Sequence, residues 1–115
     1  MREPLDVALT FPAEMNEADL TALLTAVKQG FDIIDDGRSN FNADWVTIIA
    51  LLKDGAEIVG GLGALASLAN TLIAWRTKTV RSGRPTPVRI KVSGRKEIDL
   101  ESVSDDEIRR LIGRP

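Results

Sequence analysis

The fold is decided by one stretch of the sequence, residues 58–75, which reads IVGGLGALASLANTLIAW. It contains 18 residues and no charge, which is just long enough for a helix to span a bilayer. The bases that follow it fit a cytoplasmic flank, and Trp75 lies where an interfacial aromatic residue would lie. A membrane span is therefore one interpretation of this stretch.

The same stretch also fits an amphipathic core helix, and we favour this second interpretation. At helical spacing its larger apolar residues form one stripe, while the opposite side holds small or weakly polar residues such as Ser67 and Asn70. Asn70 is unfavourable in lipid, and the glycines lower the hydrophobicity of the segment. In a third interpretation the core helix is released to a membrane or an oligomer after activation. The candidate residues for helix packing, or for lipid contact in the alternatives, are Ile58, Leu62, Leu65, Leu68, Leu72 and Trp75.

Before this stretch, the sequence predicts a strand and then a helix. Residues 5–11 alternate apolar and polar side chains with a period of two, which is typical of a half-buried strand, and Pro12 ends it. A helix over 16–29 follows, because Asn16 can cap it, acids occupy its first turn and leucines recur at helical spacing. Gly30 suits its C-terminal end.

The segment that leads into the central stretch has weaker patterns. Residues 31–34 fit either a short strand or a last turn of helix, and we prefer the strand. Residues 35–40 are rich in turn formers and indicate a loop. Residues 45–52 place four large apolar side chains, Trp45 and Ile48 among them, on one helical face, so a helix is expected there.

The C-terminal third predicts a β-hairpin. Residues 88–92 and 96–100 alternate apolar and charged side chains, and the three residues Ser93-Gly94-Arg95 separate them. A three-residue loop pairs Ile90 with Ile98 on one face and opposite charges on the other. A two-residue loop would instead set an apolar residue against an acid, so the longer loop is preferred.

These patterns predict an α+β fold in a single domain that covers all 115 residues. Its short last helix is opened by Ser104-Asp105-Asp106-Glu107, a capping box. A small sheet would pack on a long central helix and two shorter ones. The predicted elements are the strand 5–11, the helix 16–29, the central helix at about 56–78, the hairpin 88–92/96–100 and the helix 104–112.

The composition excludes several kinds of active site. The chain contains no His and no Cys, so Ser–His and Cys–His nucleophile pairs and the usual Cys/His zinc sites cannot form. The absence of cysteine suits a reducing cytoplasm, which is the expected location. We predict no catalytic residue, cofactor or metal. An enzyme that uses carboxylates is the alternative, but Asp35-Asp36 fits a surface turn and Asp105-Asp106-Glu107 fits the start of a helix.

Charge is distributed unevenly along the chain. Residues 1–57 hold 4 basic and 11 acidic residues, whereas residues 76–115 hold 11 basic and 6 acidic ones. Eight bases and no acid lie between Arg76 and Lys96. This stretch is either a solvated face or a docking surface for an acidic partner or an anionic membrane. The candidate partner-binding residues are Arg76, Lys78, Arg81, Arg84, Arg89 and Lys91.

Nucleic acid is not a favoured partner for this basic stretch. The bases suit phosphate contacts. However, no aromatic residue lies between Arg76 and Lys96 to stack on a base, and Arg89 and Lys91 have predicted cross-strand acids. The acidic pI of about 5.1 also argues against it.

The second half of the chain resembles a known bacterial family. Residues 63–78 read GALASLANTLIAWRTK, and the hairpin and the acid-capped helix follow. A small-residue helix that ends in Trp-Arg, a basic cluster, a hairpin and a short helix, in this order, resemble the effector-associated constant component family over about residues 56–112. That family shows a strand, a helix and further strands before its central helix, so the helical pattern of residues 45–52 departs from it.

The resemblance implies a setting and no catalytic residues. Members of the family are encoded beside proteases of the caspase or trypsin type and beside NTPase modules, in systems of biological conflict such as phage defence. By this likeness the chain is expected to be a non-catalytic accessory component that docks to such a protein or is cut by it, with the linker 79–87 as the segment to be cut. The alternative is a membrane-acting effector whose helix 58–75 inserts and oligomerises after activation, and a homo-oligomer is a further possibility.

Overall fold

The computed structural model describes residues 6–35, 44–52 and 60–112, with side chains from residue 65 onward in the last range. Helices combined with an antiparallel sheet make the protein α+β, as predicted. The elements are β1 (Asp6–Pro12), α1 (Glu17–Val27), β2 (Phe31–Asp35), β3 (Trp45–Leu52), α2 (Gly60–Arg81), β4 (Arg89–Val92), β5 (Ile98–Asp99) and α3 (Asp105–Leu111).

The five strands form one antiparallel sheet in the order β2-β3-β1-β4-β5. The N-terminal strand β1 lies at its centre, between β3 and the C-terminal hairpin. In that hairpin Arg89 pairs with Asp99 and Ile90 with Ile98, which confirms the register predicted from a three-residue loop. Its regular strands are shorter than the predicted 88–92 and 96–100, although the amide of Leu100 still donates to the carbonyl of Val88 at 2.9 Å.

The prediction of a helix at residues 45–52 is wrong, because Trp45–Leu52 is the strand β3. This strand pairs with β1 along its length and with β2 on its other side. Apart from Thr47 its residues are apolar on both faces, so the two-residue alternation that marks a half-buried strand is hidden, and a short apolar run fits either structure. Four successive residues, Val46 to Ile49, are β-branched, which favours the strand. The sheet is larger than predicted because β3 joins it. The strand preferred for residues 31–34 is confirmed as β2, and it also belongs to this sheet.

All three helices pack on one face of this sheet and share a single apolar core with it. The stripe predicted for the central helix is confirmed where it is described, since Leu65, Leu68, Leu72 and Trp75 are all buried. Ile58 lies outside the described residues, as do residues 56–59 of the predicted helix, and the side chain of Leu62 is not described. On the outer side of α2, Ser67 and Asn70 are exposed as expected.

The helix ends follow their capping residues. The side chain of Asn16 accepts from the amide of Asp19 at the start of α1, and the Ser104 hydroxyl accepts from the amide of Glu107 at the start of α3. The helices are therefore a little shorter than the predicted 16–29 and 104–112, since each cap lies outside its helix. By contrast, α2 continues past Lys78 to Arg81. Among the described residues, none of the helices has the length and hydropathy of a membrane span.

Candidate functional site

The six predicted partner-binding cations lie in three different settings. Arg76 and Arg84 take part in contacts within the fold. Lys78 and Arg81 are exposed on the last turns of α2, and we call these two residues the basic end of α2. Arg89 and Lys91 lie on the sheet face that points away from the helices, and we call this surface the open face.

Arg76 connects the central helix to the start of α3. Its guanidinium donates to the backbone carbonyl of Leu100 at 3.0 Å, to that of Val103 and to the carboxylate of Asp105. Its side chain is only 13% exposed. A guanidinium that donates to two carbonyls and a carboxylate fixes the start of this short helix, whose Ile108 is buried in the core. Arg76 therefore positions α3 against α2.

Arg84 connects the segment after α2 to the first turn of α1. It forms a two-point ion pair with Asp19, with Nε–Oδ2 and Nη2–Oδ1 distances of 2.6 and 2.8 Å. Asp19 is buried, and these hydrogen bonds from Arg84 hold the pKa of its carboxyl below the ordinary value. The backbone carbonyl of Asp19 also accepts a 2.9 Å hydrogen bond from Nε1–H of Trp75. Asp19 thus joins α1, α2 and the following segment at one point.

The basic end of α2 is held on a fixed support. The buried Thr79 hydroxyl donates to the carbonyl of Trp75 at 2.8 Å, within the turn that carries Lys78 and Arg81. Cations here are also favoured by the negative end of the helix dipole. Residues 80–85 are exposed and are bracketed by two buried threonines, Thr79 and Thr86. The exposed part of the predicted linker is therefore six residues long and anchored at both ends.

The open face combines an aromatic–cation pair with smaller residues. The guanidinium carbon of Arg89 lies 4.8 Å from the ring centroid of Trp45, a side chain that is 41% exposed. Beside this pair, the hydroxyls of Thr10 and Thr47 are 3.0 Å apart and share a hydrogen bond. Exposed Trp and Arg are the residue types that most often dominate protein interfaces. Among the described elements, none covers this face.

Clefts border the first helix on more than one side. One of about 690 Å³ separates α1 from strands β2 and β3, and apolar side chains such as Leu20, Leu24 and Val46 line it. Another, of about 190 Å³, lies beside the Asp19–Arg84 pair and is bordered by three prolines. In the part of the chain that the structure describes, no three His, Cys, Asp or Glu side chains are grouped as a metal site would need.

The structure is thus that of an α+β protein with its helices on one face of an antiparallel sheet. The described elements leave the other face of the sheet open. No family model matches the chain, and no curated protein or solved structure matches it either.

Sequence reasoning identified the cations but missed the partners of Arg76 and Arg84. Asp19 was read only as a helix-start acid, although it pairs with Arg84, 65 residues away in sequence. Trp45 was assigned to the wrong element, so its place beside Arg89 was not foreseen. A cross-strand partner for Arg89 was expected, and the register places Asp99 there.

Proposed function

We propose that the chain is a non-catalytic accessory component of a bacterial defence system. It acts in the cytoplasm by docking to a protein partner, which is a caspase-like or trypsin-like protease or an NTPase encoded beside it. The resemblance of residues 56–112 to the effector-associated constant component family supports this setting. The element order supports it as well, because β3 supplies a strand before the central helix, where the family pattern has one.

The docking proposal depends on one observation: the cations at the end of α2 have two different roles. Two cations, Arg76 and Arg84, tie the end of α2 into the fold, whereas Lys78 and Arg81 remain exposed on the same rigid turns. Their backbone is part of a helix that packs on the sheet, so binding needs to order only the two side chains. Two exposed cations at a negative helix end suit an acidic patch on a partner, and such charges act mainly on the association rate and on specificity.

A protease partner would have one accessible segment in this region. Residues 80–85 are exposed, and the predicted cutting segment 79–87 contains all of them. Thr79, Thr86 and the Arg84–Asp19 pair anchor this segment, so a protease must release some of these contacts before the segment can extend into its active site. Cutting is therefore expected to need a bound protease and to be slow with a protease that does not dock.

Co-purification with the protein encoded next to this chain tests the proposal. We expect a complex that weakens at least about tenfold when Lys78→Glu and Arg81→Glu are combined, because reversed charges repel the acidic patch. The matched control is Arg110→Glu on α3, an exposed cation away from the basic end, which should leave binding unchanged. No complex with the neighbouring protein, together with no cutting by it when active, would contradict the proposal.

A further inference from the structure

The C-terminal end of α2 is closed by a compact glycine cap. The amide of Gly83 donates to the carbonyl of Val80 at 2.9 Å, and the amide of Arg84 donates to that of Thr79 at 3.2 Å. Gly83 has φ +78°, the left-handed conformation in which glycine commonly ends a helix. These two bonds and this φ form a Schellman motif, which holds residues 80–85 in a turn instead of an extended strand.

Opening this cap breaks few interactions. The amide hydrogen bonds of Ser82, Gly83 and Arg84 join the exposed segment to the last turn of the helix, and water can replace them when they break. Local opening at the end of an element costs much less free energy than unfolding of the whole domain. A bound protease can therefore draw this segment into the extended form that its active site accepts, while the rest of the fold remains intact.

Within residues 80–85, one peptide bond follows a base and precedes a residue other than proline. It joins Arg81 to Ser82, and both residues are exposed. The other base, Arg84, precedes Pro85, and a bond to proline resists most endoproteases because proline has no N–H and a fixed φ. The guanidinium of Arg84 is also occupied by its two-point ion pair within the fold. The bond after Arg81 is thus the one best suited to cutting in this segment.

The charge of the region indicates which specificity a protease needs here. No acid lies between Arg76 and Lys96, so a protease that requires Asp or Glu before the cut has no site in this stretch. A basic residue before the cut is instead accepted by an S1 pocket with an acidic floor, as in trypsin. The exposed Arg81 suits such a pocket, and Lys78, three residues earlier, adds a second cation that an acidic cleft would attract.

We infer that the bond between Arg81 and Ser82 is a cleavage site, and that the partner is a protease whose acidic S1 pocket takes the Arg81 guanidinium. This inference rests on the proposed function, and it identifies the acidic patch expected on the partner with the specificity pocket itself. The step is hydrolysis, in which one water adds across the bond. The carbonyl carbon of Arg81 gains the water oxygen and becomes a carboxylate, and the nitrogen of Ser82 leaves as an ammonium group that takes up both water protons.

The two pieces of the cut chain stay together. Strand β4, in the C-terminal piece, pairs with β1 in the N-terminal piece over four residues. The hairpin and α3 also contribute seven buried apolar side chains to the shared core, which are Val88, Ile90, Val92, Ile98, Leu100, Ile108 and Ile112. Cutting therefore leaves α2 on the sheet. It adds a carboxylate to the negative end of this helix, so the cut chain should bind an acidic partner less tightly than the intact chain.

Incubation of the full chain with the active protease encoded beside it, followed by mass spectrometry of the products, tests the inference. We expect a new N-terminus at Ser82 and two pieces that co-elute in native buffer and separate in denaturant. Arg81→Gln should slow cutting at least about 100-fold, because an acidic pocket is left without its cation, whereas Arg81→Lys should stay within about tenfold. The matched control, Lys78→Gln, removes an exposed cation from the same turns and should change cutting by less than about tenfold.

Two further measurements separate the chemical role of Arg81 from docking and from stability. Binding to the protease with its nucleophile replaced should weaken by less than about tenfold in Arg81→Gln, so the loss of cutting exceeds the loss of binding. Gly83→Ala keeps every cation but strains the cap, and it should speed cutting about fivefold or more because the segment opens more often. Circular dichroism checks that each variant is folded.

The failure of this inference is distinguishable from that of the proposed function. A complex with the neighbouring protein that is cut at another bond, that is not cut at all, or in which Arg81→Gln is cut as fast as the unchanged chain would overturn the inference and leave the docking proposal standing. Pieces that separate in native buffer would overturn the expected retention of α2 on the sheet. No complex together with no cutting would contradict both proposals.

Discussion

Replacing Leu72 with alanine tests whether α2 belongs to the core. Leu72 is fully buried on the face of α2 that packs toward the sheet. Removing its side chain loses the transfer free energy of three carbon atoms and leaves a cavity, which together cost about 2–5 kcal/mol in well-packed cores. Because the residue has no exposed surface, we expect a loss of about 3–4 kcal/mol in the free energy of unfolding.

A loss of this size is a large share of the total stability. A chain of 115 residues is expected to unfold with a free energy of about 5–15 kcal/mol, so the variant stays folded but is clearly weakened. The midpoint of urea unfolding should fall by about 1.5–2.5 M for a slope near 1.5–2 kcal/mol/M. The buried Trp75 provides a fluorescence signal for the transition.

The matched control for this prediction lies on the same helix. Asn70 is exposed on the outer side of α2, and Asn70→Ala should change stability by less than about 0.5 kcal/mol, or raise it slightly through helix propensity. A Leu72→Ala cost below about 1 kcal/mol, or an Asn70→Ala cost that exceeds it, would refute the packing of α2 on the sheet.

Three further predictions concern the ion pair, the hairpin and membranes. Because Arg84 lowers the pKa of Asp19, the stability from this pair is present above the ordinary pKa of 3.8 and is lost as the pH falls below that value. Asp19→Asn should therefore flatten the decline in Tm in the acidic range. An unchanged slope of Tm against pH would contradict the pairing. Gly94 has φ +76°, so Gly94→Ala should lower the free energy of unfolding by about 1–2 kcal/mol in denaturant titrations. Gly30 has an ordinary φ and open space around it, so Gly30→Ala should raise that free energy by about 0.5 kcal/mol. Equal effects of the two changes would contradict the turn geometry. Intact protein should leave dye-filled anionic vesicles sealed, because the apolar stripe of α2 is buried, and leakage would favour the membrane-acting alternative.

Local chemistry made much of the fold predictable. The hairpin register followed from a three-residue loop and from the charges that it brings together, and Arg89 does lie opposite Asp99. The starts of α1 and α3 followed from Asn16 and Ser104, whose side chains accept the expected backbone hydrogen bonds. In each case the determinant lies within a few residues of the structure that it specifies.

The features that escaped prediction depend on distant residues. Strand β3 pairs with β1 and β2, and this pairing decides its structure against a helical apolar pattern. The internal roles of Arg76 and Arg84 follow from acceptors that lie 24 or more residues away in sequence. A sequence pattern shows that a cation is present, but only the tertiary structure shows whether it is already paired.

Cysteine accessibility along α2 tests the central claim most directly, namely that this helix packs on the sheet and keeps its outer face in water. The chain has no cysteine, so each substitution introduces a single thiol. Ala69→Cys lies on the buried side, while Ala66→Cys and Ala74→Cys lie on the exposed side, so three identical substitutions compare the two faces.

We expect the two exposed thiols to react with a water-soluble maleimide at nearly the rate of the unfolded chain, and the Ala69→Cys thiol to react at least about a hundredfold more slowly. Added vesicles should change none of the three rates. Equal reactivity on both sides of α2, or protection of the Ala66→Cys and Ala74→Cys thiols when lipid is added, would contradict the account.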